Sequence, residues 1–380
     1  MKVTVAIDSF KGSLSTFQAG SAIEEGIKRV YADAHVTICP LADGGEGTVD
    51  AVVAGAGGKM HTVTVTGPLC KPVESRYGIV PATKTAIIEM SAAAGITLVS
   101  DKERNPLNTT TYGVGEMILD AIRKGCRKFI IGIGGSATND GGIGMLAALG
   151  FAFLKADGSP VSLGGRGLGE LASICIDGKE PLLDECDFCI ACDVKNVLCG
   201  ENGCSAIYGP QKGATPEMVK TMDAWLASYA SLTKQVLPKA DANTPGTGAA
   251  GGLGFAFLSY LGATLQSGVE LVMQETGLEE HVKDADVVVT GEGRLDGQSY
   301  MGKAPIGVAN LAKKYGKPVV AFSGCVTSDA VLCNEHGIDA FFPILRTPCS
   351  LEDAMNCDNA RKNLSDTAEQ VFRMVKTFAK

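Results

Sequence analysis

Residues 2–13 read Lys2-Val-Thr-Val-Ala-Ile-Asp-Ser-Phe-Lys-Gly-Ser13, an apolar run that leads directly into a polar loop. The run predicts a buried strand over residues 3–7. Outward from it, the pattern predicts helices over residues 16–30 and 45–56 and strands over residues 36–39 and 61–65. Alternation of this kind is typical of βαβ units in a parallel sheet.

The end of the chain repeats the alternation. Asp286-Val-Val-Val-Thr290 predicts a strand, with further strands over residues 319–322 and 340–344 and helices between and after them. Fragments of two or three strands are too small to be stable alone. We therefore predict that residues 1–65 and 285–380 form one discontinuous, flavodoxin-like parallel α/β domain, with a mixed α/β domain over residues 66–284 inserted and the active cleft between the two.

Composition restricts the class of protein. A chain of 380 residues with 45% hydrophobic and 20% charged residues favours two globular domains over disorder. The net charge of −8 argues against nucleic acid as a partner, because nucleic-acid-binding surfaces are basic. No apolar run is long enough for a membrane span and no signal-peptide pattern is seen, so we expect a cytoplasmic protein with reduced cysteines. The oligomeric state is not determined by the sequence.

Glycine-rich loops with acidic side chains recur along the chain. They are Leu41-Ala-Asp-Gly-Gly-Glu-Gly-Thr48, Gly132-Ile-Gly-Gly-Ser-Ala-Thr-Asn-Asp-Gly-Gly142 and Thr290-Gly-Glu-Gly-Arg-Leu-Asp-Gly297. Glycine lets backbone N–H groups approach an anion, and carboxylates suit Mg²⁺. One such loop alone would more readily be an ordinary turn. Their recurrence, together with Lys11 in the first loop, predicts an enzyme that transfers a phosphoryl group.

Other motifs are less informative. Gly297-Gln-Ser-Tyr-Met-Gly302-Lys303-Ala304 has alanine where a P-loop needs Ser or Thr, although Lys303 at a helix start is suited to hold phosphate. The four histidines lie outside the glycine loops, which disfavours a nucleophilic triad. Two alternatives stay open: a non-catalytic sensor of a nucleotide or sugar phosphate, and a phosphatase that forms an aspartyl phosphate.

Six blocks in order resemble the bacterial type I glycerate kinase family. They are the loops at residues 8–13, 41–48 and 132–142, then Gly209-Pro-Gln-Lys-Gly-Ala214, Gly246-Thr-Gly-Ala-Ala-Gly-Gly-Leu-Gly-Phe255 and Thr290-Gly-Glu-Gly-Arg-Leu-Asp-Gly-Gln-Ser299. The resemblance covers essentially the whole chain. It implies ATP-dependent, Mg²⁺-assisted phosphorylation of D-glycerate, with the 2-position favoured over the 3-position. One departure is Val197, where the family often has proline.

The implied chemistry assigns roles to individual residues. Arg294 suits the glycerate carboxylate because its planar fork forms two hydrogen bonds, and Asp8 and Ser9 are assigned to the same substrate site. Asp296 is the first choice for the base that accepts the hydroxyl proton and Asp193 the second, with Lys11 as a catalytic cation. The residues assigned to ATP are Gly134, Gly135, Ser136, Lys212 and Lys303. The candidates for Mg²⁺ are Asp43, Asp140 and Glu292.

Overall fold

The computed structural model describes residues 1–42, 45, 47–301 and 303–378. Its strands, in chain order, are β1 Lys2–Ile7, β2 His35–Pro40, β3 Lys59–Thr66, β4 Pro72–Val80, β5 Thr85–Glu89, β6 Lys128–Gly132, β7 Ala152–Leu154, β8 Ser173–Cys175, β9 Asp187–Ala191, β10 Thr264–Gln266, β11 Val287–Leu295, β12 Val319–Val326 and β13 Ala340–Pro343.

The α-helices are α1 Thr16–Lys28, α2 Thr48–Gly55, α3 Ser91–Ala94, α4 Tyr112–Arg123, α5 Ile143–Ala148, α6 Gly167–Glu170, α7 Cys204–Tyr208, α8 Pro216–Val236, α9 Ala249–Tyr260, α10 Gly268–Glu275, α11 Leu278–Asp284, α12 Ala304–Lys314, α13 Leu332–Glu335, α14 Leu351–Met355 and α15 Cys357–Phe378. Short 3-10 helices span Ile96–Leu98, Pro181–Glu185, Pro210–Lys212, Ser299–Met301 and Ser328–Val331. Within the described residues, no helix is both long enough and apolar enough to cross a membrane.

Strands from both ends of the chain form one parallel sheet with the order β2-β1-β11-β12-β13. The central strands β1 and β11 pair in register from Val3 with Val287 to Val5 with Val289. Because all of these strands run in the same direction, their carboxyl ends lie at one edge of the sheet. The residues that follow β1, β11, β12 and β13 are therefore brought to a common edge.

Helices α1 and α15 cover this sheet and pack closely on each other. Ser15 begins α1 with a capping box, in which its hydroxyl accepts from the backbone N–H of Gln18 and the Gln18 side chain accepts from the N–H of Ser15. A Cβ on Gly26 would lie 2.3 Å from the carbonyl oxygen of Ser365, so only glycine allows this approach. The core below contains fully buried Ile7, Phe322 and Phe372.

A second sheet has the order β10-β9-β6-β5-β4-β3. Strands β5, β6, β9 and β10 are parallel to one another, whereas β4 is antiparallel to both of its neighbours, β3 and β5. Its core includes the aromatic residues Tyr77, Phe129, Tyr229, Phe255 and Phe257. The fold as a whole is mixed α/β with parallel sheets, in agreement with the alternation in the sequence.

The chain divides into two compact units. Unit 1 contains the described residues within 1–43, 50–56 and 269–380, and unit 2 those within 44–49 and 57–268. Three segments divide differently from the predicted domains 1–65 with 285–380 and 66–284: the described residues within 44–49, residues 57–65 and residues 269–284. Residues 57–65 lie in unit 2 because β3 pairs antiparallel with β4, not with β1 or β2. Residues 269–284 lie in unit 1, where α11 contacts β1 and α12.

Candidate active site

Unit 1 contains a cavity of about 930 Å³ at the carboxyl edge of its parallel sheet. The sequence-predicted residues that line it are Asp8, Ser9, Lys11, Glu292, Arg294, Asp296 and Lys303. They come from the loop after β1, the end of β11 and the start of α12. Segments far apart in the sequence thus contribute to one site because parallel strands end at the same edge.

The loop after β1 is held by its own backbone. Two hydrogen bonds between the backbones of Phe10 and Leu14, of 2.8 and 3.0 Å, close the turn. Asp8 is 6% exposed, and its Oδ1 accepts from the backbone N–H of Ser9 at 2.6 Å. Gly12 has φ +78°, a left-handed conformation that glycine adopts without strain. The turn therefore presents Lys11 at an exposed position beside the cavity.

Three charged side chains occupy alternate positions here: Glu292 and Arg294 near the end of β11, and Asp296 directly after it. Alternate residues of a strand project to the same face, which explains why all three line the cavity. The intervening glycines permit close packing of the neighbours. A Cβ on Gly291 would lie 1.9 Å from the carbonyl oxygen of Phe322 on β12, so no larger residue fits there.

Ion pairs and hydrogen bonds link these acids to nearby cations. Lys303 Nζ lies 3.8 Å from Glu292 Oε2 and 3.7 Å from Asp296 Oδ1. Arg294 Nε lies 3.3 Å from Asp296 Oδ2. Distances of this length in a partly exposed site give weak, adjustable interactions. The arrangement is therefore suited to exchange these contacts for contacts with a charged ligand.

Glu292 is the most enclosed of the three side chains, with 12% of it exposed, against 18% for Asp296 and 66% for Arg294. Burial raises the pKa of Glu292, and the carboxylates of Asp8 and Asp296 add to this effect. The Ser299 hydroxyl, which donates to Glu292, and Lys303 oppose it. Several carboxylates thus share one region in which a cation would be favoured.

The described residues hold no group of three or more His, Cys, Asp or Glu side chains arranged to bind a metal ion. Mg²⁺ commonly takes only one or two protein carboxylates and completes its shell with water and phosphate oxygens. Glu292, with Asp8 nearby, fits that smaller requirement. Asp43, the first candidate for Mg²⁺ in the sequence, lies outside the described residues.

The glycine loop after β6 lies in unit 2. Gly134 and Gly135 are exposed, whereas Ser136 is 7% exposed. Beneath Ser136 lies Lys212, which is 3% exposed and donates from Nζ to Ser136 Oγ and to the carbonyl oxygen of Thr138, both at 2.7 Å. Burial lowers the pKa of Lys212 to about 8, while Cys204 and Asp140 act in the opposite direction. Lys212 therefore contacts the loop from below, not from its exposed surface.

Asp140, a candidate for Mg²⁺ in the sequence, is buried and hydrogen-bonded within unit 2. Its side chain is fully buried, and Oδ2 accepts from the N–H and hydroxyl of Thr111 at 2.8 and 2.9 Å, while Oδ1 accepts from the N–H of Gly142 at 3.1 Å. Burial raises the pKa of Asp140, and these donated hydrogen bonds oppose that change. Through these bonds on both oxygens, the carboxylate ties the glycine loop to the start of α4.

Asp193, the second choice for the base, lies in unit 2 just after β9 and is exposed. It is not among the residues that line the unit 1 cavity. The Gly246–Phe255 block also lies in unit 2, where Ala250, Gly251 and Gly252 have positive φ and interrupt α9. A Cβ on Gly251 would lie 2.1 Å from the carbonyl oxygen of Thr138, so this block packs against the loop that Lys212 supports.

Two features of the sites were not predicted from the sequence. One is Glu89, which ends β5 and whose Oε1 accepts from the backbone N–H of Val49 at 3.0 Å. Its position as an acid directly after the apolar residues 86–88 was the sequence signal that could have identified it. The other is the wall of the unit 1 cavity formed by residues 344–355, which includes Arg346 and Met355. That segment is mostly irregular and contains no motif.

The chain matches the model of the Glycerate kinase family over residues 3–376. It is 48% identical to the glycerate kinase of Haemophilus influenzae over 99% of both chains. It is 47% identical to the glycerate 2-kinase of Escherichia coli strain K12, over 97% of this chain and 98% of that one. A solved structure from Salmonella typhimurium LT2, assigned as glycerate kinase 2, superposes with a TM-score of 0.91 at 46% identity, over 99% of this chain and 98% of that one.

Proposed function

Because this chain belongs to the glycerate kinase family, we propose that it transfers the γ-phosphoryl group of ATP to the 2-hydroxyl of D-glycerate in the cavity of unit 1. The coarse activity follows from the family: the chain is an enzyme that phosphorylates glycerate. The observation that carries the finer proposal is the cavity itself, in which Arg294, Asp296 and Lys303 lie together with the loop after β1.

Glycerate carries a carboxylate and two hydroxyl groups, so its site needs a cation and groups that select one hydroxyl. Arg294 is exposed and its Nε lies 3.3 Å from Asp296 Oδ2, a contact that its guanidinium is able to exchange for two hydrogen bonds to the glycerate carboxylate. Asp8 and Ser9 line the same cavity and are proposed to hold the glycerate hydroxyls.

Asp296 is proposed as the base. Its Oδ1 accepts from the backbone N–H of Gln298 at 2.9 Å, which fixes the carboxylate at the end of β11. In the reaction, the 2-oxygen of glycerate forms a bond to the γ-phosphorus as the bond from that phosphorus to the bridging oxygen of ADP breaks. The hydroxyl proton passes to Asp296, while Lys11 and Lys303 offset charge on the transferred group.

Mg²⁺ is proposed to bind on Glu292, with Asp43 as a second candidate. The Glu292 side chain is largely enclosed and lies in a region shared with other carboxylates, which favours a bound cation. When held there by Glu292, Mg²⁺ would reduce the negative charge on the phosphate oxygens. The Ser299 hydroxyl orients Glu292 for this role by donating to its Oε1.

The glycine loop of unit 2 is proposed to bind phosphate oxygens of ATP. The exposed backbone of Gly134 and Gly135 is able to approach an anion closely, and the buried ammonium of Lys212 lies just below Ser136. We assign Lys212 to support of the loop through Ser136, not to a direct contact with phosphate, because its side chain is almost fully buried and two of its three N–H donors are bonded to protein oxygens.

Finer assignments belong to the same proposal. The strand order β2-β1-β11-β12-β13 corresponds to the 2-1-3-4-5 order of flavodoxin-like sheets, which supports a flavodoxin-like domain for unit 1 and a second α/β domain for unit 2. The order of the sequence blocks supports the type I subfamily. Use of ATP and thirteen free cysteines support a cytoplasmic location.

The test is an assay of purified protein in which ADP release is coupled to a chromogenic reaction. ADP release should require D-glycerate and Mg²⁺, should be much slower with L-glycerate, and should yield 2-phosphoglycerate by NMR of the product. Release of phosphate without ADP would support the phosphatase instead. Binding of nucleotide with no turnover of any hydroxy acid would support the sensor.

A further inference from the structure

One side of the unit 1 cavity is apolar and open to solvent. We define the apolar wall as Leu345, Leu351 and Met355, which are 38%, 77% and 39% exposed and all line the cavity. Helix α14, which carries two of these side chains, contains no buried residue. Single exposed apolar residues are ordinary, but a cluster that lines a cavity is typical of a ligand surface.

The apolar wall adjoins the loop that carries Lys11. A Cβ on Gly12 would lie 2.7 Å from the terminal methyl carbon of Met355, so this side chain rests directly on the turn. The charged residues and the apolar wall are therefore two sides of one continuous cavity.

Glycerate alone is too small for this space. Its three carbons and four oxygens, at a water-like volume of about 30 Å³ each, occupy roughly 200 Å³. The cavity measures about 930 Å³, several times more. Glycerate also carries no apolar surface large enough to cover Leu351. The remainder has room for a second, partly apolar ligand group.

The backbone beside the apolar wall supplies polar groups. Residues 345–349 make no backbone–backbone hydrogen bond with any described part of the chain. Their N–H and C=O groups, apart from the missing N–H of Pro348, are able to bond a ligand. Apolar side chains flanked by backbone donors and acceptors match a flat heterocycle that is apolar on its faces and polar at its edge.

We propose that the apolar wall binds the nucleobase of ATP. This inference rests on the proposed kinase function, which supplies a ligand of this chemistry to the same cavity. The base would lie against Leu351 and Met355, and its edge would bond the backbone of residues 345–349. The side chain of Leu351 then contributes to the affinity for the base but not to the affinity for phosphates or for glycerate.

The test compares Leu351→Ser with Met374→Ser, a control on α15 at a side chain that is 48% exposed and does not line the cavity. Adenosine and inorganic tripolyphosphate are used separately as inhibitors competitive with ATP. Leu351→Ser should raise the KM for ATP and the inhibition constant of adenosine about 5- to 10-fold, in line with the loss of one buried leucine contact. The inhibition constant of tripolyphosphate and the KM for glycerate should stay within about twofold.

Direct titration of adenosine by calorimetry measures the same contact without turnover, so it holds even if the kinase proposal fails. Equal adenosine affinity in the wild type and Leu351→Ser would overturn the inference. So would an equal loss of adenosine and tripolyphosphate affinity, because that result indicates a general distortion. If Leu351→Ser does not fold, Leu345→Ser tests the same wall. Absence of glycerate-dependent ADP release in the wild type would refute the kinase function, not the base site.

Discussion

The unit 1 cavity and the glycine loop of unit 2 both contain acidic side chains among glycines. They differ in the hydrogen bonds and ion pairs that these acids form. In the cavity, Asp296 and Glu292 lie 3.3–3.8 Å from cations and keep part of their surface open. In the loop, Asp140 is fully buried and accepts from the protein on both oxygens. The same pattern of an acid among glycines therefore has two outcomes: an acid with loose, partly exposed contacts is able to exchange them for a ligand, whereas an acid with all its contacts inside the protein holds the backbone in place.

The sharpest test of this comparison is removal of the charge on Asp296. Asp296→Asn should lower kcat on the order of 10²-fold or more and leave the KM for ATP nearly unchanged, because general-base help typically contributes 10² to 10⁴. Steady-state kinetics of ADP release measures both constants. The control is Asp193→Asn, at an exposed acid of unit 2. If Asp193→Asn abolishes turnover with folding intact and Asp296→Asn does not, the base is Asp193.

For the loop, the corresponding substitution should affect stability before activity. Asp140→Asn places an amide NH₂ against the donors of Thr111 or Gly142, and we expect the free energy of unfolding to fall by about 2–3 kcal/mol. Urea unfolding measures this change, with Asp187→Asn as the control at an exposed acid of the same unit. A variant of normal stability that needs more Mg²⁺ for activity would support Asp140 as a metal ligand.

The buried ammonium of Lys212 beneath the glycine loop should make the free energy of unfolding depend on pH. Its pKa is lowered by burial from 10.5 to about 8, so between these values the unfolded chain holds the proton more tightly than the folded protein. Stability from this group therefore rises as pH increases through 8. From pH 7 to pH 9.5, the free energy of unfolding of the wild type should rise by about 2 kcal/mol relative to Lys212→Met.

Chemical unfolding at several pH values measures this difference, and Lys220→Met, at an exposed lysine, should show no such trend relative to the wild type. A difference between the wild type and Lys212→Met that stays constant with pH would mean that the ammonium is stabilised by a further negative group.

The smallest expected effect concerns substrate binding in the cavity. Arg294→Ala should raise the KM for glycerate about 10-fold, since a partly exposed charged contact to a carboxylate is lost. The matched control is Arg346→Ala. Arg346 also lines the cavity, but its Nη1 lies 2.8 Å from Asp366, so it is held by the protein. A larger rise for Arg346→Ala would move the carboxylate site to the wall formed by residues 344–355.

Much of unit 1 was determined by the sequence itself. The runs at residues 3–7 and 287–290 lie in β1 and β11, and the pairing of these strands joins the two ends of the chain. Arg294 and Asp296 follow the predicted strand 286–290, so the common edge of parallel strands predicted that they lie at the carboxyl end of the sheet. The sequence predicted a loop over residues 290–297, however, whereas β11 continues to Leu295. The glycine-rich loops after these strands also indicated a ligand site.

Other features were decided only by tertiary structure. The apolar period of residues 61–65 indicates a strand but not its partner, and β3 pairs with β4 because they are joined by a short turn. The sequence assigned Asp140 and Lys212 to ligands, and only the fold shows that both are buried, Asp140 against Thr111 and Lys212 against Ser136. Residues 344–355 become a cavity wall only through their position beside the loop after β1. Burial and hydrogen-bond partners depend on contacts between distant segments, and a local sequence pattern does not specify them.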